Sequence, residues 1–283
     1  MTHSFRLPAA PRSIQKDQPI KFILDSEAID CLAHNIALVH AGFDELLFKK
    51  LALTNIESLG FMDRSSHIAV ALKATLPAKF SQAAEVLINT LTPPNVNTER
   101  LGLSVFFYLP HTRFIAEYGR DHTYNAGEDP FDIAMRAQYE LTRRFTAEFS
   151  IRAFLIHDFD RTLNQLKQWL DDPDPHVRRL CSEGTRSRLP WGTRIPQLIK
   201  DPTPTLPILD ALKSDPSLYV RRSVANHVGD IAKDHPEVAF DLCDRWLSHA
   251  DKELKWVIRH SVRHPARQGN ATAIALRKAA GGR

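Results

Sequence analysis

The chain has 283 residues, of which 43% are hydrophobic, enough for one elongated domain or two compact ones. A net charge of +4 and a pI near 9.0 favour an anionic partner. No apolar run approaches the ~18 residues of a membrane span, the start M-T-H-S-F-R-L-P-A-A-P-R lacks a signal-peptide core, and three cysteines without paired spacing exclude a disulfide framework or zinc cluster. These features predict a soluble, cytoplasmic protein with no membrane partner.

Residues 1–20, with three prolines and no hydrophobic period, read as an irregular arm. Helical periodicity then takes over. Asp25 or Ser26 can cap a first helix carrying Ile29, Leu32, Ala33, Ile36 and Val39 inward, and Gly42 ends it. Further helices are predicted from Asp44 toward Ile56, through His67 to Leu76, and from Phe80 to Leu91, where Thr92-Pro93-Pro94-Asn95 stops the chain. The aromatic run Leu101–Leu109 has no partner strand elsewhere and reads as a core helix. The polar stretch from Gly119 to Pro130 separates an N-terminal helical section, 21–115, from the rest. From Phe131 a long helix is expected, with Ile133, Met135, Leu141, Phe145 and Phe149 inward and Glu148 among them.

Beyond this point the sequence repeats. Asp172-Pro173-Asp174-Pro175-His176-Val177-Arg178-Arg179 matches Asp215-Pro216-Ser217-Leu218-Tyr219-Val220-Arg221-Arg222, and Trp256-Val257-Ile258-Arg259 is a weaker third copy. The valines are 43 and 37 residues apart. A period of about 40 in a helical chain signals an all-α, HEAT-like solenoid, with Asp-Pro at each turn and Val-Arg-Arg opening each second helix. One repeat domain is therefore expected over 21–275, with its repeat section at 131–275 and a flexible tail at 276–283. At about 100° per residue, Arg179, Arg222 and Arg259 fall on one face of successive repeats. Glu183 and Asp230 share that side if Gly184 and Gly229 do not end their helices.

The stretch Val177 to Arg194 holds five arginines, one acid and a tryptophan beside a Pro/Gly turn. Arginine forks suit phosphate, and an exposed indole offers a flat face for a nucleotide. Candidate phosphate-backbone ligands are Arg178, Arg179, Arg186, Arg188, Arg194, Arg221, Arg222 and Arg259, with Trp191 as a nucleotide contact. The alternatives are structural. HEAT repeats use aspartate and arginine to bond neighbouring repeats, for which Asp172 and Asp215 are available, Trp191 could anchor the core, and Glu148, Glu183 and Asp230 could be salt-bridge partners. Arg186, Arg188 and Arg194 lie outside the repeat frame and have no such duty. His260 and His264 form an i, i+4 pair without the glutamate of a metalloprotease helix or a third ligand, so neither metal nor cofactor is expected.

The stretches Thr146–Arg152 (T-A-E-F-S-I-R), His176–Trp191 and Asp215–Pro236 resemble the AlkC branch of the AlkC/AlkD-type DNA alkylation repair glycosylases. The resemblance covers Phe131–Trp256 closely and the N-terminal half more loosely. It implies a HEAT-like fold with a concave DNA-binding face, and a monomer that excises cationic alkylated bases from double-stranded DNA without extruding them. 3-Methyladenine heads the expected substrates, followed by 3-methylcytosine and 7-methylguanine. Carried over motif by motif, the functional residues fall on Glu148, Glu183 and Asp230 as catalytic acids and on Trp191. Many relatives carry an immunoglobulin-like domain after the repeats. The chain ends at Arg283 without room for one, which suggests a shorter subgroup.

A base alkylated at N3 is already a cationic leaving group, so carboxylates that stabilise an oxocarbenium-like sugar and position water suffice. The expected arrangement puts Asp230 beside sugar and water, with Glu148 and Glu183 adding negative field. Two rival readings stand beside it: a non-catalytic HEAT protein that binds damaged or branched DNA, and a solenoid that binds protein.

Overall fold

The structure, a computed structural model, describes residues 4–99 and 101–282. Among the described residues every regular element is a helix, and no helix is long and apolar enough to cross a membrane. The chain divides into two compact units, Met1–Ser150 and Ile151–Arg283.

In the first unit, α1 (Ser26–Val39) starts where the Asp25 carboxylate accepts the Ala28 amide at 3.2 Å, and α2 (Glu45–Leu53) starts on Asp44 in the same way. They are followed by α3 (Phe61–Thr75), α4 (Phe80–Asn89), α5 (Leu109–Tyr118) and α6 (Phe131–Thr142). The aromatic run is helical, as expected, but as a 3₁₀ turn over Ser104–Tyr108 that leads into α5. The polar stretch after α5 belongs to the first unit. It packs back on α4: Tyr124 presents its carbonyl to the Phe80 amide at 2.9 Å and sets its ring against Phe80 and Phe114. The division falls between Ser150 and Ile151.

The helix expected to run through Phe149 ends at Thr142, and Ile133 is partly exposed while Ala134 and Gln138 are buried. Asn95 captures the carbonyls of Arg143 and Arg144 at 2.8 and 2.7 Å, and this competes with further helix propagation. Glu148 therefore lies in an irregular segment.

The second unit comprises α7 (Ile151–His157), α8 (Phe159–Gln168), α9 (Pro175–Glu183), α10 (Pro196–Lys200), α11 (Leu206–Leu212), α12 (Leu218–Asp234), α13 (Pro236–Leu247), α14 (Lys252–Ser261), α15 (Arg263–Arg267) and α16 (Ala271–Ala279). Helix α12 packs between α9 and α14, and α8, α11 and α13 back this row as the first helices of each repeat. Val177, Val220 and Val257 are fully buried, so the repeat frame and its HEAT-like reading hold. Gly229 sits inside α12, where a Cβ would come within 3.2 Å of the Ser261 carbonyl, which lets α12 and α14 approach closely. Gly184 does end α9, and a Cβ there would lie 2.6 Å from Ile151 Cγ2, too close for any larger residue without a shift. The tail expected from residue 276 starts later, since α16 continues through Ala279.

The first arginine of the Val177 repeat ties it to the next repeat. Arg178 donates to both Asp215 oxygens, Nε to Oδ2 at 2.6 Å and Nη2 to Oδ1 at 3.0 Å, and also to the carbonyls of Asp172 and Pro173. Arg221 repeats the local half of this pattern on the carbonyls of Asp215 and Pro216. Replacing Asp215 with alanine strands the Arg178 fork, and we expect a loss of roughly 1–3 kcal/mol. Equilibrium denaturation measures it, and an unmoved midpoint would show that the repeats do not depend on this tie.

Candidate active site

Four polar side chains, Ser223, His227, Asp230 and Asp234, occupy one stripe of α12 at helical spacing. Three of them meet a partner from the end of α9 or the loop after it. The Ser223 hydroxyl donates to Glu183 Oε2 at 2.6 Å, Arg186 reaches Asp230, and Arg188 grips both oxygens of Asp234 at 2.6 and 2.7 Å, while His227 is buried among them. Sequence spacing therefore converges on a polar seam between two packed helices.

Arg186 is the centre of the seam. Its Nε and Nη2 both lie 2.7 Å from Asp230 Oδ2, and its Nη1 lies 2.5 Å from Glu183 Oε1. Arg186, Glu183 and Asp230 are 8, 5 and 2% exposed, so one guanidinium fixes two carboxylates away from bulk water. Burial alone would raise the Glu183 pKa, but Arg179 and Arg186, with the Ser223 hydroxyl, outweigh it and hold the group below the usual carboxylate range. Burial pushes the His227 pKa down to about 4, so the ring is neutral near pH 7 and adds no positive charge behind Asp230. The second Asp230 oxygen, Oδ1, accepts Lys233 Nζ at 2.8 Å.

The loop after α9 is clamped from below. Arg152, fully buried, donates to the carbonyls of Gly184, Arg186, Ser187 and Thr193. A Cβ on Gly192 would meet Leu189 at 2.9 Å and Arg152 at 3.2 Å, so only glycine fits there without a shift. Above this clamp Trp191 stands 62% exposed with φ at 62°, a left-handed conformation that a bulky residue adopts only under constraint. Exposure and strain together fit a surface contact and not a core anchor.

The arginines are disposed differently from expectation. Arg186 and Arg188, expected to face phosphate without structural duties, are committed to Glu183, Asp230 and Asp234. The reason is that α12 presents carboxylates where the loop returns. Arg178 serves the repeat tie described above, Arg221 holds the turn of its own repeat, Arg259 donates to the Ala280 carbonyl, and Arg179 lies over the Tyr219 ring within 3.4 Å of Glu183. Of the predicted ligands, Arg194 and Arg222 are exposed. Glu148 belongs to the first unit, where it accepts the Thr146 hydroxyl at 2.9 Å and is 9% exposed.

Sequence reading misses Arg152, Ser223 and His227, as well as a basic group at the α14–α15 junction. There Arg263, His264 and Arg267 cluster with Lys233, and the His264 pKa is lowered by burial and by these three cations. The helical spacing of the α12 stripe is a usable signal for Ser223 and His227. Nothing local marks Arg152 as a clamp.

Fold and site together define an all-helical, HEAT-like repeat protein with paired buried carboxylates at a helix seam. No protein-family model matches the chain. It is 35% identical over 261 residues to the uncharacterized protein YhaZ of Bacillus subtilis (strain 168), covering 91% of this chain and 67% of that one. It is also similar to a solved structure, the Pseudomonas fluorescens alkylpurine DNA glycosylase AlkC bound to DNA containing an abasic site analogue. The identity there is 38% and the TM-score 0.80, covering 92% of this chain and 67% of that chain. The chain belongs to the AlkC family of DNA glycosylases.

Two outcomes follow from the seam. Arg186→Ala leaves two buried carboxylates without their shared cation, so we expect a destabilisation of roughly 3–5 kcal/mol, read from denaturant unfolding. A stable variant with weakened DNA binding would return Arg186 to the phosphate-contact role. For pH, the folded His227 and His260 titrate at about 4, and free histidine titrates at about 6.5. Between these values the unfolded chain binds more protons, so stability should fall as pH drops from about 6.5 to 4. Melting temperatures across that window, for the parent and for His227→Asn, test this. The variant should show the shallower slope.

Proposed function

We propose that this protein is a DNA glycosylase that hydrolyses the N-glycosidic bond of cationic alkylated bases in duplex DNA, acting as a monomer. The observation that carries this reading is the Glu183–Arg186–Asp230 cluster, held on the same Arg152-clamped loop that exposes Trp191. Likeness to a glycosylase solved on DNA with an abasic site analogue, the kind of product such a reaction leaves, supports it.

The chemistry asks little of the enzyme beyond negative charge and positioning. In a 3-alkylated adenine the C1′–N bond breaks with its electron pair going to the base, which leaves neutral. Asp230 stabilises the oxocarbenium-like sugar, orients the water whose oxygen bonds to C1′, and takes the proton that the water loses. Glu183 adds negative field, and Glu148 is assigned the same part through its motif. We assign 3-methyladenine as the principal substrate, with 3-methylcytosine and 7-methylguanine as further candidates, because the charge of each makes departure easy.

Excision without base extrusion is supported by Trp191, which projects from a loop and is 62% exposed. It can contact a lesion nucleotide that stays stacked. Arg194, Arg222, Arg267 and Lys233 are exposed cations suited to the phosphate backbone. One observation favours a binding-only reading: in the free protein both oxygens of Asp230 already carry a cation.

Base release from methylated genomic DNA, with products identified by mass spectrometry, separates the two. We expect 3-methyladenine from the parent and none from Asp230→Asn, assayed below the melting point of that variant. Duplex binding without release by the parent would establish the binding-only protein, and full release by Asp230→Asn would remove Asp230 from the mechanism.

A further inference from the structure

The two cations on Asp230 are not equivalent. Arg186 approaches through a planar fork, is 9% exposed at its side chain, and bonds Glu183 as well, so it cannot leave without stranding two buried acids. Lys233 makes a single contact, Nζ to Oδ1 at 2.8 Å, from a side chain that is 52% exposed over a carboxylate that is 3% exposed. An ammonium on a flexible stem is a compact, strongly hydrated point charge that changes partners readily.

The surroundings of Lys233 favour such a change. Arg263 and Arg267 stand with Lys233 around His264, and among the described residues the Arg263 fork bonds neutral acceptors, the His260 carbonyl and Asn226 Oδ1. Such a group repels a third cation and attracts a polyanion. Arg179 and Arg186 answer Glu183 and Asp230 Oδ2, and Lys233 answers Asp230 Oδ1, so withdrawal of Lys233 lowers the charge of the cluster by one at that oxygen.

Resting on the glycosylase reading above, we propose that Lys233 is a displaceable counter-ion: it covers Asp230 in the free protein and moves to a DNA phosphate when duplex binds. The carboxylate is then uncovered only on DNA. Lys233 is a positioning residue in this scheme and takes no part in bond breaking. The device couples backbone binding to the field that a cationic lesion meets, and answers the objection that Asp230 is already neutralised.

The test splits affinity from rate with Lys233→Gln, after its melting temperature confirms folding. Binding to a duplex carrying a tetrahydrofuran abasic analogue should weaken about fivefold and the salt slope should fall by about one, the signature of one lost phosphate contact. Single-turnover release of 3-methyladenine at saturating enzyme should run at or above the parental rate, because the cover is gone. A lower saturated rate with unchanged affinity and slope would overturn the proposal. A second measurement follows the ion itself. The Lys233 ammonium signal in ¹⁵N-lysine NMR, assigned by its loss in Lys233→Gln, should shift when the parent is saturated with the analogue duplex, and a stationary signal would overturn displacement. A parent that binds but releases no base sinks the glycosylase reading, whereas the binding and NMR arms still decide whether Lys233 leaves Asp230.

Discussion

One guanidinium shared by two buried carboxylates is the constraint on which the second unit depends. Arg186 spans Glu183 at the end of α9 and Asp230 on α12, and therefore holds the two helices in register through their polar groups. Apolar packing alone would bring α9 and α12 together, since Val177, Leu180, Val220 and Val224 are buried between the repeats. It would not set where two acids point. The directional bonds of the fork do that, and a buried charge leaves no low-energy alternative once one partner is gone.

The same guanidinium subtracts from the field it organises. A site meant to stabilise a cationic sugar and base needs net negative charge, yet two acids cannot be buried side by side without a cation. The seam meets both demands with two acids to one fork, while its other polar member stays neutral: burial depresses His227 until it is uncharged near neutral pH. The surplus negative charge then falls to the cations at the margin, the mostly buried Arg179 on Glu183 and the exposed Lys233 on Asp230. The field of the acids is therefore set in part by a group at the surface.

Much of this is legible in the amino-acid sequence. Asp-Pro turns and the spacing of Val177, Val220 and Val257 read out the repeat, because buried helix positions must recur with the period of the packing. The acids stand out because each sits in an arginine-rich or apolar stretch where a solvated salt bridge has no obvious reason. The arginines mislead, because composition cannot say what faces a side chain across a helix pair. Arg186 and Arg188 lie outside the repeat frame, but Asp230 and Asp234 return opposite them from more than forty residues away. The polar stretch after α5 hides its packing for a related reason: it looks like a linker, and only the fold reveals that Tyr124 is an aromatic plug against α4. Local patterns carry period and cap. Long-range polar pairing is invisible to them.

Trp191 shows how the two halves of the site are joined. A tryptophan in the left-handed region is held there only if its neighbours have no freedom. Arg152 removes that freedom by bonding four carbonyls of the loop, one of them the carbonyl of Arg186 at 2.7 Å. The backbone of Arg186 thus hangs on the clamp that displays the indole, and its side chain hangs on the acids. A displacement of the loop that moved Trp191 would also drag the fork that orients Asp230. The pose of the Trp191 indole and the alignment of the Asp230 carboxylate are therefore not separately adjustable in this fold. They share Arg186, whose backbone rests on the buried Arg152 and whose fork holds both acids.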